Sequence, residues 1–408
     1  MFRSLKHVNF RFFFIGQSVS LVGTWMQIVA LGWLSYRLTH SPFLLGCVAF
    51  AAQIPSLFLA PFAGVLADRY DRRNILILAQ ALCMVQASVL AFLVLSHTIT
   101  IGHILWLSLF LGIVGAFEMT VRQSFLVELV DDKTNLSNAI ALNSMMFNAS
   151  RLVGPGIAGL LIASFGEGIC FLVNAASYVA IIAALSFVSV DTSGMKKPAG
   201  LKIGREFKEG VQYAFSSLPI RLMLVSVAVF SIAGAVLQTL LPVFVKEVFQ
   251  GGSGMFAFLL SVSGAGALAG TMYLAWKRSV TGLAGNMAVC TALMGAGLVG
   301  FGMVKVYWIV CAAAFFLGVA MMVGIGGGNM LLQTLVDDDK RGRVMSLYAV
   351  ALMGTAPFAS LGAGAFAARF GVDTAFALIG GLSFIGAVLF SRELERFRIA
   401  AGAIYAQV

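Results

Sequence analysis

Charge is what this 408-residue chain has least of. Only 11% of its residues are Asp, Glu, Lys or Arg, against 60% hydrophobic, and its mean hydropathy is +0.95. About a quarter charged is usual for a soluble domain, so that class is excluded and a polytopic membrane protein fits. Cysteine is sparse too: Cys47, Cys83, Cys170, Cys290 and Cys311 all lie inside apolar runs. No disulfide framework is implied, and they read as small packing residues. The four histidines fall near the ends of apolar runs, and there is no HExxH pair and no phosphate loop. The glycine runs Gly264-Ala-Gly266 with Gly270, and Gly324-Ile-Gly326-Gly327-Gly328, lack the Lys-Ser/Thr ending and lie within spans, where they serve helix contact. ATP hydrolysis, a catalytic metal and a nucleophilic triad find no support, and no cofactor is expected. The net charge of +10 is scattered between apolar runs rather than gathered on one surface, which argues against nucleic acid.

Long apolar runs are what the chain has in abundance. A span needs roughly 20 apolar residues. On that ruler there are twelve: Phe10–Tyr36, Phe43–Leu66, Asn74–Leu95, Ile101–Gln123, Ser137–Phe165, Gly168–Val190, Arg221–Val245, Ser253–Trp276, Gly282–Val304, Val306–Gln333, Val344–Phe370 and Thr374–Ser391. The first run is too long, and too poor in small-residue cleavage signals, for a removed leader. With the N-terminus inside, the segments on the cytoplasmic side carry 22 of the 27 Lys and Arg, the outer segments four, and Arg151 falls within a span. By the positive-inside rule both termini are cytoplasmic.

The longest polar stretch, Asp191–Pro219, divides the spans six and six. This predicts an N-terminal bundle over 1–190, a cytoplasmic linker over 191–220 and a C-terminal bundle over 221–408. Within the linker, Arg205–Ser217 reads as a short amphipathic helix with Phe207, Val211, Tyr213 and Phe215 towards the bilayer. The halves echo each other. Leu129-Val-Asp-Asp-Lys133 before span five returns as Leu335-Val-Asp-Asp-Asp-Lys340 before span eleven, and each precedes a helix with Gly and Pro in its middle.

The densest early charge cluster, Gly64-Val-Leu-Ala-Asp68-Arg69-Tyr-Asp71-Arg72-Arg73-Asn74, joins spans two and three. Its order resembles the loop 2–3 signature of the major facilitator superfamily, with Asp71 where that pattern has glycine. Aspartate tolerates a left-handed backbone, so the turn survives the exchange. Gly154-Pro155-Gly156-Ile-Ala-Gly159 in span five resembles the antiporter motif of the drug-exporting branches. Its proline kinks the helix and its glycines admit a neighbour closely. Together with Val121–Val130 and Arg341–Tyr348, these stretches are most similar to the bacterial enterobactin and macrolide exporters. The resemblance implies an all-α membrane protein of twelve transmembrane helices in two pseudo-symmetric six-helix bundles. It also implies a multi-pass protein of the bacterial inner membrane, acting as a monomer by alternating access to exchange protons for an amphipathic compound. A lipid or lysophospholipid carrier of the same fold is the competing reading, and an intramembrane enzyme or a channel competes from other classes.

Several residues are candidates for the work. Gln17, Ser20, Thr24 and Gln27 form one polar stripe on span one, expected to face a water-filled cavity. Gln238 and Asn329 are counterparts from the second half, and Trp25 and Trp33 either stack on substrate or pack. Arg151 shares a helix face with Ser144 and Asn148, and its partner is either an anionic substrate group or a structural carboxylate. Glu118, the carboxylate deepest in a span, is either a proton-binding group or the partner of Arg122 at i, i+4. For the gate, Asp68 is expected to accept hydrogen bonds from the N-terminus of span eleven beside Arg341, Gly342 and Arg343, with Gly64, Arg69, Arg72, Arg73 and Arg122 around it.

Overall fold

The computed structural model describes residues 3–130, 136–188, 211–277, 280, 282–337 and 340–405, with the side chains at 61, 68, 137, 398 and 400–405 outside the description. Among these residues twelve helices are long and apolar enough to cross a membrane. They are α1 (Val8–Thr39), α2 (Pro42–Arg69), α3 (Arg72–Leu95), α4 (Ile101–Glu128), α5 (Leu136–Phe165) and α6 (Glu167–Phe187), followed by α7 (Leu218–Val248), α8 (Ser253–Trp276), α9 (Leu283–Met303), α10 (Tyr307–Leu335), α11 (Arg341–Phe370) and α12 (Val372–Tyr405).

Local chemistry sets the turns between them. Ser41 caps α2 by accepting from Leu44 N at 3.3 Å, with Pro42 at the first helical position, where its missing N–H costs nothing. Thr100 and His103 cap α4 reciprocally. Asp71 is the N-cap of α3, its carboxylate accepting from Arg73 N at 2.8 Å and Asn74 N at 3.4 Å. Its φ of −58° corrects the expectation of a left-handed residue there: aspartate stands in this loop as a cap. α12 also runs well past its expected end at Ser391. Beyond the apolar part, Glu393 and Arg396 pair at 3.2 Å one turn apart and carry the helical period onward.

Two six-helix bundles follow from one pairing pattern used twice. In the first, α1 packs on α5 and α6, α3 on α4 and α6, α2 on α4, and α5 on α6. In the second, α7 packs on α11 and α12, α9 on α10 and α12, α8 on α10, and α11 on α12. Adding six to each label of the first set yields the second. The halves meet along α5 with α8 and along α2 with α11.

Twelve crossings put both termini on one face, called here the termini face; the opposite one is the far face. The named contacts between halves run from the far face to the middle. Trp33 stacks on Phe256 and Phe50 meets Phe358 edge-on, while Gly46 and Gly364 bring α2 and α11 together. Near the middle, Gly354 meets Leu57 and Gly264 meets the backbone of Arg151 and Leu152. Towards the termini face Phe58, Phe62, Ile140 and Met272 are exposed. α11 carries a π-turn, Val350–Gly354, at the level of the Leu57 contact, and Ser231 of α7 donates to the Leu352 carbonyl at 2.5 Å. Such turns loosen the i→i+4 ladder, and here a hydroxyl from a neighbouring helix satisfies a freed acceptor.

The α5–α8 crossing depends on Gly264, where a Cβ would lie 2.6 Å from the Arg151 carbonyl oxygen, a backbone atom that cannot rotate away. Gly264→Val is expected to force the helices apart and lower stability by about 1–3 kcal/mol, the usual cost of overpacking. A thermal melt of the purified protein in detergent checks this, and an unshifted midpoint would show that the crossing tolerates the added bulk.

Candidate functional site

Where the halves meet in mid-membrane lies a small pocket, a cavity of about 20 Å³, lined by Trp25, Arg151, Pro155, Gly234, Gln238 and Met321 among others. Five helices supply it: α1 and α5 from the first half, α7, α8 and α10 from the second. Its charge comes from Arg151. The guanidinium carbon lies 5.5 Å from the centre of the Trp25 ring, and Nη2 lies 3.7 Å from Met321 Sδ of the other half. Trp25 is itself braced edge-on by Phe147. Among the described residues no carboxylate comes within ion-pair distance of Arg151.

Magnitudes say what that arrangement lacks. An arginine at mid-membrane costs about 2.5–3.5 kcal/mol even on the mildest scale. A cation–π contact returns about 0.5–2 kcal/mol, and a thioether is a weak acceptor. The charge is therefore held in place and incompletely neutralised.

Helix α5 is shaped around this pocket. Gly154 faces α1, where a Cβ would meet Trp25 Cβ, while Gly159 faces α8, where one would meet Ala257 Cβ. Pro155 sits between them inside the helix. Gly154 and Gly159 thus admit α1 and α8 closely on two sides of the helix.

Other candidates stand elsewhere. Gln238 lines the pocket wall. Asn148, one turn from Arg151, is 3% exposed and donates to the Ser144 carbonyl at 2.9 Å, its Oδ1 buried without a partner. Asn329 accepts from Gln333 along α10, eight residues and so about 12 Å from Met321 towards the termini face.

The span-one stripe is a correction. Gln17 and Gln27 are 3% and 2% exposed and face the interior of the first half, with no share in the central pocket. Gln27 donates to Gln86 of α3 at 3.0 Å and accepts from Asn174 of α6 at 2.8 Å; Thr24 donates to the Ser20 carbonyl at 3.0 Å. Ser177 donates to Asn174 at 3.1 Å and Gln86 to the Leu107 carbonyl at 3.3 Å. Polar residues on three facing helices thus satisfy one another, and a polar stripe on one helix does not reveal whether water or another helix lies opposite.

Glu118 lies in the same half. Arg122 Nε is 2.9 Å from its Oε1 as an ion pair whose N–H is not aimed at the oxygen, and Gln80 donates to it at 3.3 Å. Of the loop between α2 and α3, Arg69 is exposed and Asp68 has its side chain outside the described residues. Arg72 donates to the Ala67 carbonyl at 2.9 Å and pairs with Glu128 at 2.5 Å. Arg73 donates at 2.7 Å to both Leu185 O and Ser186 O, which caps the C-terminal end of α6. These two arginines hold the first half together at the termini face. Gly64 and Gly342 have open space where a Cβ would stand, and Arg343 opens α11 beside Gly342.

The linker expectation is partly outside the described residues, Phe207 included. Residues 211–216 are helical, but Tyr213 does not face lipid. Its hydroxyl donates to Asp337 at 3.2 Å, and Lys340 lies 4.5 Å from its ring centre and 3.3 Å from Asp337. Burial and the Asp337 carboxylate push the Tyr213 phenol above its ordinary pKa.

Two pseudo-symmetric six-helix bundles with a charged pocket between them at mid-membrane are the architecture of transporters built from parallel repeats. The family model described as transmembrane secretion effector, of the major facilitator superfamily, matches residues 1–401, and the chain belongs to that family. The staphyloferrin A transporter of Staphylococcus aureus is 26% identical over 371 residues, 91% of this chain and 92% of its own length. The enterobactin exporter of Shigella boydii is 25% identical over 399 residues, 96% and 94% of the two chains. A bacterial homologue of the human lysosomal transporter Spinster, solved inward-facing and unoccupied, superposes with a TM-score of 0.70 at 13% identity, over 100% of this chain and 98% of its own. The resemblance read from the motifs is thereby borne out.

Proposed function

We propose that this protein exports an amphipathic small molecule bearing an anionic group, siderophore-like rather than cationic, by alternating access driven by protons. One observation carries the cargo assignment: Arg151, in the pocket between the halves, has an aromatic face and a thioether for partners and, among the described residues, no carboxylate within ion-pair distance. A carboxylate or catecholate would supply the missing charge, while Trp25 and Met321 accept apolar or aromatic parts of the same molecule. The two siderophore transporters among the relatives agree with this chemistry.

The termini face is assigned to the cytoplasm on the split of 22 Lys and Arg to four. With that orientation the contacts named between the halves lie in the middle and on the outer side, as suits an exporter that loads from the cytoplasm. Residues 191–220 are then a cytoplasmic linker between domains at 1–190 and 221–408. Glu118 is assigned to proton coupling: its protonation would cancel the Arg122 pair and alter the contact of α4 with Gln80 of α3. The Asp68 carboxylate is assigned to the cytoplasmic gate, engaging the N-terminus of α11 when that side closes.

A lipid carrier is the second reading, favoured by a crevice of about 600 Å³ between α1, α5 and α6 lined by Val19, Val22, Val153, Ile157 and Val173.

Liposomes holding the purified protein under a pH gradient separate these readings. The panel would hold a catecholate siderophore, a citrate-type siderophore, a macrolide, a cationic dye and a fluorescent lysolipid. Gradient-dependent accumulation of the anionic members is expected, and lipid movement indifferent to the gradient would replace the exporter with the lipid carrier. Arg151→Gln is expected to weaken binding of the anionic cargo by roughly 10- to 100-fold, the worth of a charge-assisted hydrogen bond, with Arg151→Lys intermediate. Unchanged affinity in Arg151→Gln by calorimetric titration would remove the anion site. Glu118→Gln is expected to abolish pH-driven uphill transport yet permit counterflow, and full gradient-driven accumulation by that variant would end its coupling role. Asp68→Asn should slow turnover without loosening cargo binding; wild-type turnover would dismiss the gate.

A further inference from the structure

We infer that Tyr36 and Glu247 form the outer latch of the transport cycle, a hydrogen bond between the halves that holds the far face shut in the present state. The inference rests on the alternating-access reading above.

Tyr36 lies near the end of α1 in the first half and Glu247 near the end of α7 in the second. The phenol donates to Glu247 Oε1 at 2.6 Å, while the Tyr36 side chain is buried. Neighbouring positions on α1 have divided labour. Arg37 pairs with Glu167 of α6 through Nε at 2.8 Å and Nη2 at 3.1 Å, a fork that fastens α1 to its own half. Tyr36 reaches across to the other. The end of α1 is built to aim it. His40 closes the helix in a left-handed conformation with φ 47°, donates its N–H to the Tyr36 carbonyl at 2.8 Å, and sets its ring edge-on to the Tyr36 ring at 6.0 Å.

One turn deeper, Trp33 stacks on Phe256 of α8 with ring centres 6.1 Å apart, beside Gly32, whose nearest neighbours include Pro242 of α7. The far-face closure therefore has two layers, a polar contact at the rim and an aromatic one beneath it. Both join the halves, so both must part for the pocket to open outward. They differ in what parting costs. The stack exchanges one apolar surface for another in lipid or cargo, whereas the hydroxyl–carboxylate bond is directional and is either made or lost. The rim bond is thus the element that can make closure two-state.

Hydrogen exchange read by mass spectrometry on the purified full chain in lipid nanodiscs tests this without any cargo. Tyr36→Phe removes the donor and keeps the ring; Glu247→Gln keeps the shape and removes the charge. Each is expected to raise exchange about tenfold at residues 33–40 and 241–250, and to lower it at the opposite ends of α5 and α10 as the population moves outward-facing. The double variant is expected to match the single ones, and Arg37→Gln, which breaks a contact within one half, to leave the termini face unchanged. Wild-type exchange in both single variants would overturn the latch. So would additive effects in the double variant, or the same two-face redistribution in Arg37→Gln. Loosening of the far face with the termini face unmoved would support the latch while sinking alternating access, so the two failures are told apart. A melting midpoint within a degree of wild type for Tyr36→Phe excludes a folding defect as the source.

Discussion

A guanidinium held in mid-membrane, with no carboxylate beside it among the described residues, is the constraint around which this structure is arranged. Arg151 contributes twice: its carbonyl forms the surface against which Gly264 of α8 packs, and its side chain projects into the pocket between the halves. The crossing that joins the two bundles and the charge in their shared pocket therefore belong to the same residue. Any loosening of the α5–α8 contact moves the charge, and any ligand that pairs the charge acts on the interface.

The remaining polarity is sorted by depth and by partner. Gln27, Gln86, Asn174 and Ser177 satisfy one another inside the first half, where each unmet hydrogen bond would cost about 1–3 kcal/mol. Arg72 and Arg73 spend their donors on helix ends and on Glu128, which stiffens the first bundle as a unit. Contacts between halves are of another kind: close glycine crossings, aromatic faces, a thioether against a guanidinium, one phenol on a carboxylate. Bundles bonded mainly within themselves and joined along such a seam are suited to rigid-body motion about it.

Glu118 shows how one sequence feature supports two physical states. As an ion pair with Arg122 it is a structural element of α4; protonated, it would free a guanidinium 12% exposed beside Gln80. It lies within the first half and not in the central pocket.

The sequence by itself determined the twelve spans, the division into two related sixes, the proline within the fifth helix and the place of Arg151 inside a span. It could do so because each is a local matter: hydrophobic length against membrane thickness, a missing N–H, a charge inside an apolar run. The family likeness rested on the same short stretches. What only the tertiary structure decided is which groups face each other. The stripe from Gln17 to Gln27 reads as water-facing until α3 and α6 bring Gln86 and Asn174 opposite it. Met321 is one methionine among 18 until α10 places its sulfur against Arg151. Tyr36 and Glu247, 211 positions apart, form a bond that no pattern in either segment announces. Periodicity along a helix reports that a face is polar; the partner of that face is set by how helices from distant parts of the chain are packed, and that is a property of the fold.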